Sequence, residues 1–219
     1  GEDEIYGDSS GPGGPGGGGG GNLVVNGSFE DVTGLASTFY GFVGTGAIPG
    51  WTTADPNSDL DVHNDGRGNI DPTDGENWLD LEASPGDVRV GQDIQGMADG
   101  QTYTLSFDAG DGQGVPGSLG ENTINVYFGG ELIATIDPEQ GQMDSYSFDI
   151  VGGSGDGSDR LEFEGVGPDD KYGASIDNVS IVESGAPGFD DTLYGGDGDD
   201  IIFGEGGNDL IEADEGDDT

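Results

Sequence analysis

No cysteine occurs among the 219 residues, and only Arg67, Arg89, Arg160 and Lys171 carry a fixed positive charge. The missing thiols exclude a disulfide framework and any thiolate metal site. Against those four cations stand 46 acidic residues, for a net charge of −42. Nucleic acid and anionic membrane surfaces are therefore excluded as partners, since both are bound through counter-charge. A single histidine, His63, is too few for a zinc site built from clustered His or Cys, so none is expected. Any Ser-His-Asp triad would have to use that one imidazole, and no G-x-S-x-G stretch surrounds a nucleophile. No apolar run reaches membrane-spanning length and no signal peptide is evident, so no membrane insertion is expected. Paired carboxylates serve glycosidases, but with 46 acids some pair lies at almost any separation, and proximity says little. The expectation is a chain without catalytic residues.

What is present in quantity is glycine, 48 residues of it, and at the C-terminus it is periodic with aspartate. Asp191, Asp200, Asp209 and Asp218 recur every nine residues, as do Leu193, Ile202 and Ile211, and Gly198, Gly207 and Gly216. Gly195 to Phe203 fits G-G-x-G-x-D-x-U-x completely; the next unit has Glu205 where the second Gly belongs, and the last is degenerate. Glycine permits the tight turn, aspartate offers a hard oxygen ligand, and the apolar residue two places later faces inward from a short strand. Asp191, Asp200, Asp209 and Asp218, with Gly195 and Gly198, are the expected metal-binding positions. An unstructured acidic linker has no reason to hold three positions in register. The other end, "GEDEIYG", repeats the second half of one unit, with Asp3 and Ile5 in the ligand and apolar positions.

This segment resembles the RTX nonapeptide proteins of bacterial type I secretion, whose repeats form a calcium-filled parallel β-roll. The resemblance covers about residues 188 to 219. It implies Ca2+ as the cofactor, a secreted or cell-surface location in a bacterium, and a larger parent protein of which this chain is an excerpt. Because β-rolls need neighbours to stack upon, "GEDEIYG" is expected to pack on the C-terminal repeats of its own chain or of another copy, the second giving self-association through the repeat ends.

Between the two ends the pattern changes. "SSGPGGPGGGGGGN" is a flexible spacer by composition, with no Lys-Ser or Lys-Thr after it to make a phosphate loop. From Leu23 to Val182 apolar residues alternate: Tyr103, Leu105 and Phe107 in "TYTLSFD", Ile124, Val126 and Phe128 in "TINVYF", Leu161 and Phe163 in "LEFE". About ten such strands, parted by Gly, Asp and Pro turns, predict an all-β fold, an antiparallel sandwich of one domain. The expected organisation is a partial repeat at 1–7, a linker at 8–21, the sandwich at 22–184 and repeats at 185–219.

"NLVVNGSFE", "IPGW", "DGENWLDL", "VGQDIQG", "YTLSFDAG" and "GASIDNVSIV" resemble the galactose-binding-like jelly rolls, which include many bacterial carbohydrate-binding modules. That resemblance implies a non-catalytic jelly-roll sandwich displaying a polysaccharide or cell-surface glycan site. It also implies a structural calcium near the joined termini, with Glu30, Asp177 and Asn26 as ligands; turn capping is the alternative role for Glu30 and Asp177.

Sugar recognition needs an aromatic plane and fixed polar groups. If Leu79 and Leu81 face the core, Trp78, Asp80 and Glu82 face the other way; if Leu60 and Val62 go in, Asp61 and His63 go out. Trp78, Asp61, His63 and Asp80 then form a saccharide platform, provided their two strands share the open face. Arg67, Asn64 and Asp65 in one loop, and Asp169, Lys171 and Tyr172 in another, are placed to join them. Trp51 is assigned to the core. Two functions compete: a calcium-dependent, adhesive carbohydrate-binding module, and a calcium-rigidified spacer in an extracellular fibre, surface layer or matrix.

Overall fold

Burial in the computed structural model follows the alternation of the sequence. The structure describes residues 4–6, 21–33, 40–44, 46–55, 57–64, 70–83, 86–111, 122–168, 173–184, 192–194, 198, 201–203, 210–212 and 216. The strands are β1 (Glu4–Tyr6), β2 (Tyr40–Val43), β3 (Thr52–Thr53), β4 (Leu60–Asn64), β5 (Asn77–Asp80), β6 (Glu82–Ala83), β7 (Gly86–Asp87), β8 (Arg89–Asp93), β9 (Thr102–Asp111), β10 (Thr123–Phe128), β11 (Glu131–Ile136), β12 (Met143–Val151), β13 (Arg160–Val166), β14 (Ala174–Glu183), β15 (Thr192–Tyr194), β16 (Ile201–Phe203) and β17 (Leu210–Glu212). Among the described residues there is no helix.

Residues Asn22–Val182 form one unit, a jelly-roll sandwich of two antiparallel sheets. Its five-stranded sheet has the order β11-β10-β13-β8-β3, and its six-stranded sheet β12-β9-β14-β5-β4-β2. In β10 and β13 every second residue is buried, so one face of each strand meets the opposite sheet and the other meets solvent. Phe107 of β9 and Phe163 of β13 meet edge to face across the sandwich, with ring centroids 4.9 Å apart. Trp51 completes the aromatic cluster, 5.2 Å from Phe29 and 6.3 Å from Phe163, and its indole N–H donates to the Asn26 carbonyl at 3.0 Å. It is 1% exposed, a core residue as the sequence suggests. Leu23 N–H donates to the Ile181 carbonyl and Val179 N–H to the Gly27 carbonyl. The first and last phrases of the sandwich sequence are thus neighbours in space.

The second unit joins Gly1–Gly21 with Glu183–Thr219. Here β15 pairs with β17 in parallel, Leu193 opposite Ile211, so alternate nonapeptides share a sheet. The strand between them, β16, pairs in parallel with β1 from the opposite end of the chain: Glu4 with Ile201, Ile5 with Ile202, Tyr6 with Phe203. This register aligns the N-terminal half-repeat with the C-terminal ones residue for residue. Within "GEDEIYG", Glu4–Tyr6 therefore pairs with a repeat of its own chain.

Candidate functional site

Antiparallel pairing brings β4 and β5 side by side, with Asp61 opposite Asp80 and His63 opposite Trp78. Directly opposed residues share a face. Val62 and Leu79 fill the core at 0% exposure, so the four others lie together on the outer face of the six-stranded sheet. The His63 and Trp78 rings stack at 4.3 Å between centroids with a 31° tilt. His63 Nε2 lies 2.9 Å from Asp61 Oδ2 and 3.9 Å from Asp80 Oδ2.

The sequence anticipates this grouping but not its depth. Trp78 is 1% exposed, and Asp61, His63 and Asp80 are 3–5% exposed, so this part of the face is closed over rather than open. Arg67, Asp65, Asp169, Lys171 and Tyr172 lie outside the described residues.

Asp80 is fixed by its backbone surroundings. Its Oδ1 accepts the N–H groups of Glu82 at 2.8 Å and Gly173 at 3.2 Å. Position 173 admits no side chain: a Cβ there would stand 2.4 Å from Asp80 Oδ1 and 2.5 Å from the Glu82 nitrogen. Burial holds the Asp80 carboxyl well above the usual carboxylate range; the Glu82 N–H opposes this, and the charges of Asp61 and Glu82 add to it.

At the edge, β2 pairs with β4, placing Phe42 opposite Asp61 and therefore on the same outer face. Phe42 is 50% exposed, an aromatic side chain of this face that solvent reaches. Sequence reasoning missed it, because "YGFV" is short and Gly41 dilutes its strand signal.

Glu30 and Asp177 hold one loop from two sides. Glu30 Oε1 accepts the N–H groups of Glu76 and Asn77 at 2.7 and 2.6 Å. Asp177 Oδ2 accepts the N–H groups of Thr73 and Asp74 at 2.8 and 3.0 Å, and its Oδ1 accepts Asn178 N–H at 2.7 Å. Between them Gly75 turns with φ +84°, where a Cβ would lie 2.5 Å from the Glu30 carboxyl carbon. Asn26 bonds elsewhere: its Oδ1 accepts Asp31 N–H at 3.0 Å and its Nδ2 donates to the Asp31 carbonyl at 2.9 Å. Both carboxylates thus cap turns.

Across the sandwich, a cavity of about 470 Å³ is lined by Asp55, Asp87, Arg89 and Glu164 among others. The Arg89 guanidinium there lies 3.8 Å over the Tyr127 ring and is paired with Glu162. Its charge is already answered.

Of the expected repeat ligands, Asp3, Asp191, Asp200, Asp209, Asp218 and Gly195 lie outside the described residues. Gly198 is described, with φ +139°, a backbone state that side chains disfavour. In sequence, Asp3, Asp191, Asp200 and Asp209 each stand one residue before a strand, β1, β15, β16 and β17 respectively. Oxygen-only donors repeated in one register suit calcium.

Residues 188–219 match the RTX calcium-binding nonapeptide repeat family, in four copies. The C-terminal segment is an array of these repeats, and calcium is its cofactor. No curated protein matches the sequence. Among solved structures, a Family 16 Carbohydrate Binding Module-2 is 14% identical, covering 74% of this chain and 100% of that one at a TM-score of 0.45. A family 35 carbohydrate binding module from Clostridium thermocellum is 10% identical, covering 67% and 100% at 0.40. The enzymatically active domain of tailspike protein 4 from bacteriophage CBA120 is 17% identical over 74% of this chain, at 0.42, and the chain spans 21% of that domain. At such values no residue role passes to this chain.

Proposed function

We infer that the chain is a non-catalytic, calcium-dependent carbohydrate-binding module of a larger secreted bacterial protein, adhesive in role. The observation that carries the binding assignment is the outer face of β2, β4 and β5. There Phe42 is exposed beside Asp61, and His63, Trp78 and Asp80 are buried on the same face. An aromatic ring flanked by carboxylates is the chemistry that meets the apolar face and hydroxyls of a sugar. Arg67, three residues after β4 in sequence, is assigned to the same site as a further sugar contact. Calcium, when bound, supplies cross-linking charge among the repeat carboxylates, and a further ion is assigned to Glu30 and Asp177, which clasp the 73–77 loop, with Asn26 as a third ligand.

Ion binding governs folding of the repeats. Extracellular calcium modules bind at about 10⁻⁴ to 10⁻³ M. At about ten times Kd each ion adds roughly 1.4 kcal/mol. A chain of net charge −42 that repels itself depends on such increments.

The test is a glycan array probed with the purified chain in millimolar calcium and in chelator. Binding in calcium alone is the expected result. Silence across a broad array favours the second reading, a calcium-stiffened structural unit of a fibre, surface layer or matrix. The specific observation on that side is the burial of Trp78.

A further inference from the structure

The buried cluster that shares a face with Phe42 has the make-up of a metal site of another kind. One ligand atom from each of Asp61, His63 and Asp80 lies within 4.8 Å of the others, and all three residues are buried. A tetrahedral ion with bonds of about 2.0–2.2 Å sets its ligand atoms roughly 3.3–3.6 Å apart. The two separations from His63 Nε2, 2.9 and 3.9 Å, fall on either side of that range. Small side-chain rotations would close the shell.

Two further observations point to a missing cation. Asp61 Oδ1 and Ser175 Oγ are buried without a hydrogen-bond partner among the described residues, and Ser175 sits opposite Asp80 in register. An orphaned carboxylate oxygen away from water is costly. Two buried carboxyl groups also face a single imidazole. The described cations do not help: Arg89 pairs with Glu162, and Arg160 with Asp93 and Glu162. Meanwhile the Glu82 and Gly173 N–H groups hold Asp80 by Oδ1, leaving Oδ2 beside His63, the arrangement by which outer groups orient a ligand.

We propose that Asp61, His63 and Asp80 bind one divalent transition-metal ion of the zinc class, separate from the calcium of the repeats. Imidazole is the discriminating donor. Calcium and magnesium take oxygen shells, whereas a nitrogen with two carboxylates suits a borderline ion. The ion ties β4 to β5, with a fourth position open to the Ser175 hydroxyl or a water. It replaces the expectation of no zinc site, which looked for clustered His or Cys and could not foresee carboxylates brought to His63 by strand pairing. The site does not depend on glycan binding.

His63 is the only histidine in the chain, so any imidazole bound to metal is this one. Tag-free full-length protein, saturated with CaCl2 so that the repeats are filled, is titrated calorimetrically with ZnCl2. Absorption at the zinc edge then reports the ligand shell. One zinc per chain with one imidazole and oxygen neighbours is the expected result. His63→Gln and Asp80→Asn should each weaken zinc at least tenfold, while the circular-dichroism response to calcium stays as in the wild type. Should a variant fail to fold, the wild-type edge spectrum alone decides. No zinc uptake in calcium, no imidazole in the shell, or undiminished binding by a folded His63→Gln would overturn the site and leave a His63–Asp61 ion pair.

Discussion

Ile5 and Ile202 are register partners in one parallel sheet, although they come from opposite ends of the chain. Repeats two apart pair, as Leu193 and Ile211 do, so β1 takes the place of the repeat that would precede β15 in an unbroken array. The sandwich thus lies in sequence between β1 and β15–β17, strands that belong to one unit.

Proline at position 5 would fix φ in the middle residue of β1 and take away its N–H, at a cost of about 1–3 kcal/mol to a small sheet. Ile5→Pro should therefore raise the calcium concentration at half-maximal change in circular dichroism several-fold. The melting transition of the sandwich should stay put. An unchanged calcium midpoint would mean that β1 contributes nothing to the roll.

Trp51 anchors the other unit through its contacts with Phe29 and Phe163 and its bond to the Asn26 carbonyl. Trp51→Ala is expected to cost about 3–5 kcal/mol by denaturant unfolding, because it combines lost burial with a large cavity. Trp51→Phe, which keeps most of the volume but leaves that carbonyl without its donor, should cost about 1–2 kcal/mol. Equal effects of the two would show that packing is not what this tryptophan supplies.

How far the sequence reaches can be judged on single strands. In "TINVYF" and "RLEFEGV" the apolar alternation is strict, and the burial of β10 and β13 alternates with it. That Asp61 and His63 share one side of β4, and Trp78 and Asp80 one side of β5, also follows from period two, whereas the pairing that puts all four on one face does not. Their burial does not, because alternation tells which side a residue points to and not what lies above it. Phe42 escaped notice for a related reason: a four-residue edge strand containing glycine acquires its meaning from its partner β4. Nor could spacing show that Glu30 and Asp177 would clasp one loop, since their shared targets, Thr73 to Asn77, are distant from both in sequence.

Asp177 makes stability depend on pH in a direction opposite to that of an ordinary paired carboxylate. It is fully buried, and desolvation pushes its carboxyl up to about 6 despite the N–H groups of Asp74, Thr73 and Asn178. Since the folded value exceeds the unfolded one of about 4, its contribution is complete below pH 4 and lost as pH rises through 6. Metal-free protein should accordingly be more stable at pH 5 than at pH 7, by about 1 kcal/mol from this group. Relief of charge repulsion acts in the same direction. Thermal unfolding in chelator at the two values measures the difference, and greater stability at pH 7 would contradict it. Millimolar calcium should flatten the profile.

Phe42 separates recognition from stability. Half of the side chain is exposed, so Phe42→Ala should change the unfolding free energy by no more than about 1 kcal/mol. If the ring is the platform for a sugar, the same change should lower affinity about tenfold for any glycan that the array identifies, the usual worth of one aromatic contact being about 0.5–1.5 kcal/mol beyond its area. Isothermal titration of wild type and variant in calcium compares the two. Phe42→Tyr should restore most of the binding, because it keeps the plane. Full affinity in a folded Phe42→Ala protein would place the sugar elsewhere, whereas loss of both folding and binding would make Phe42 a packing residue of the β2 edge.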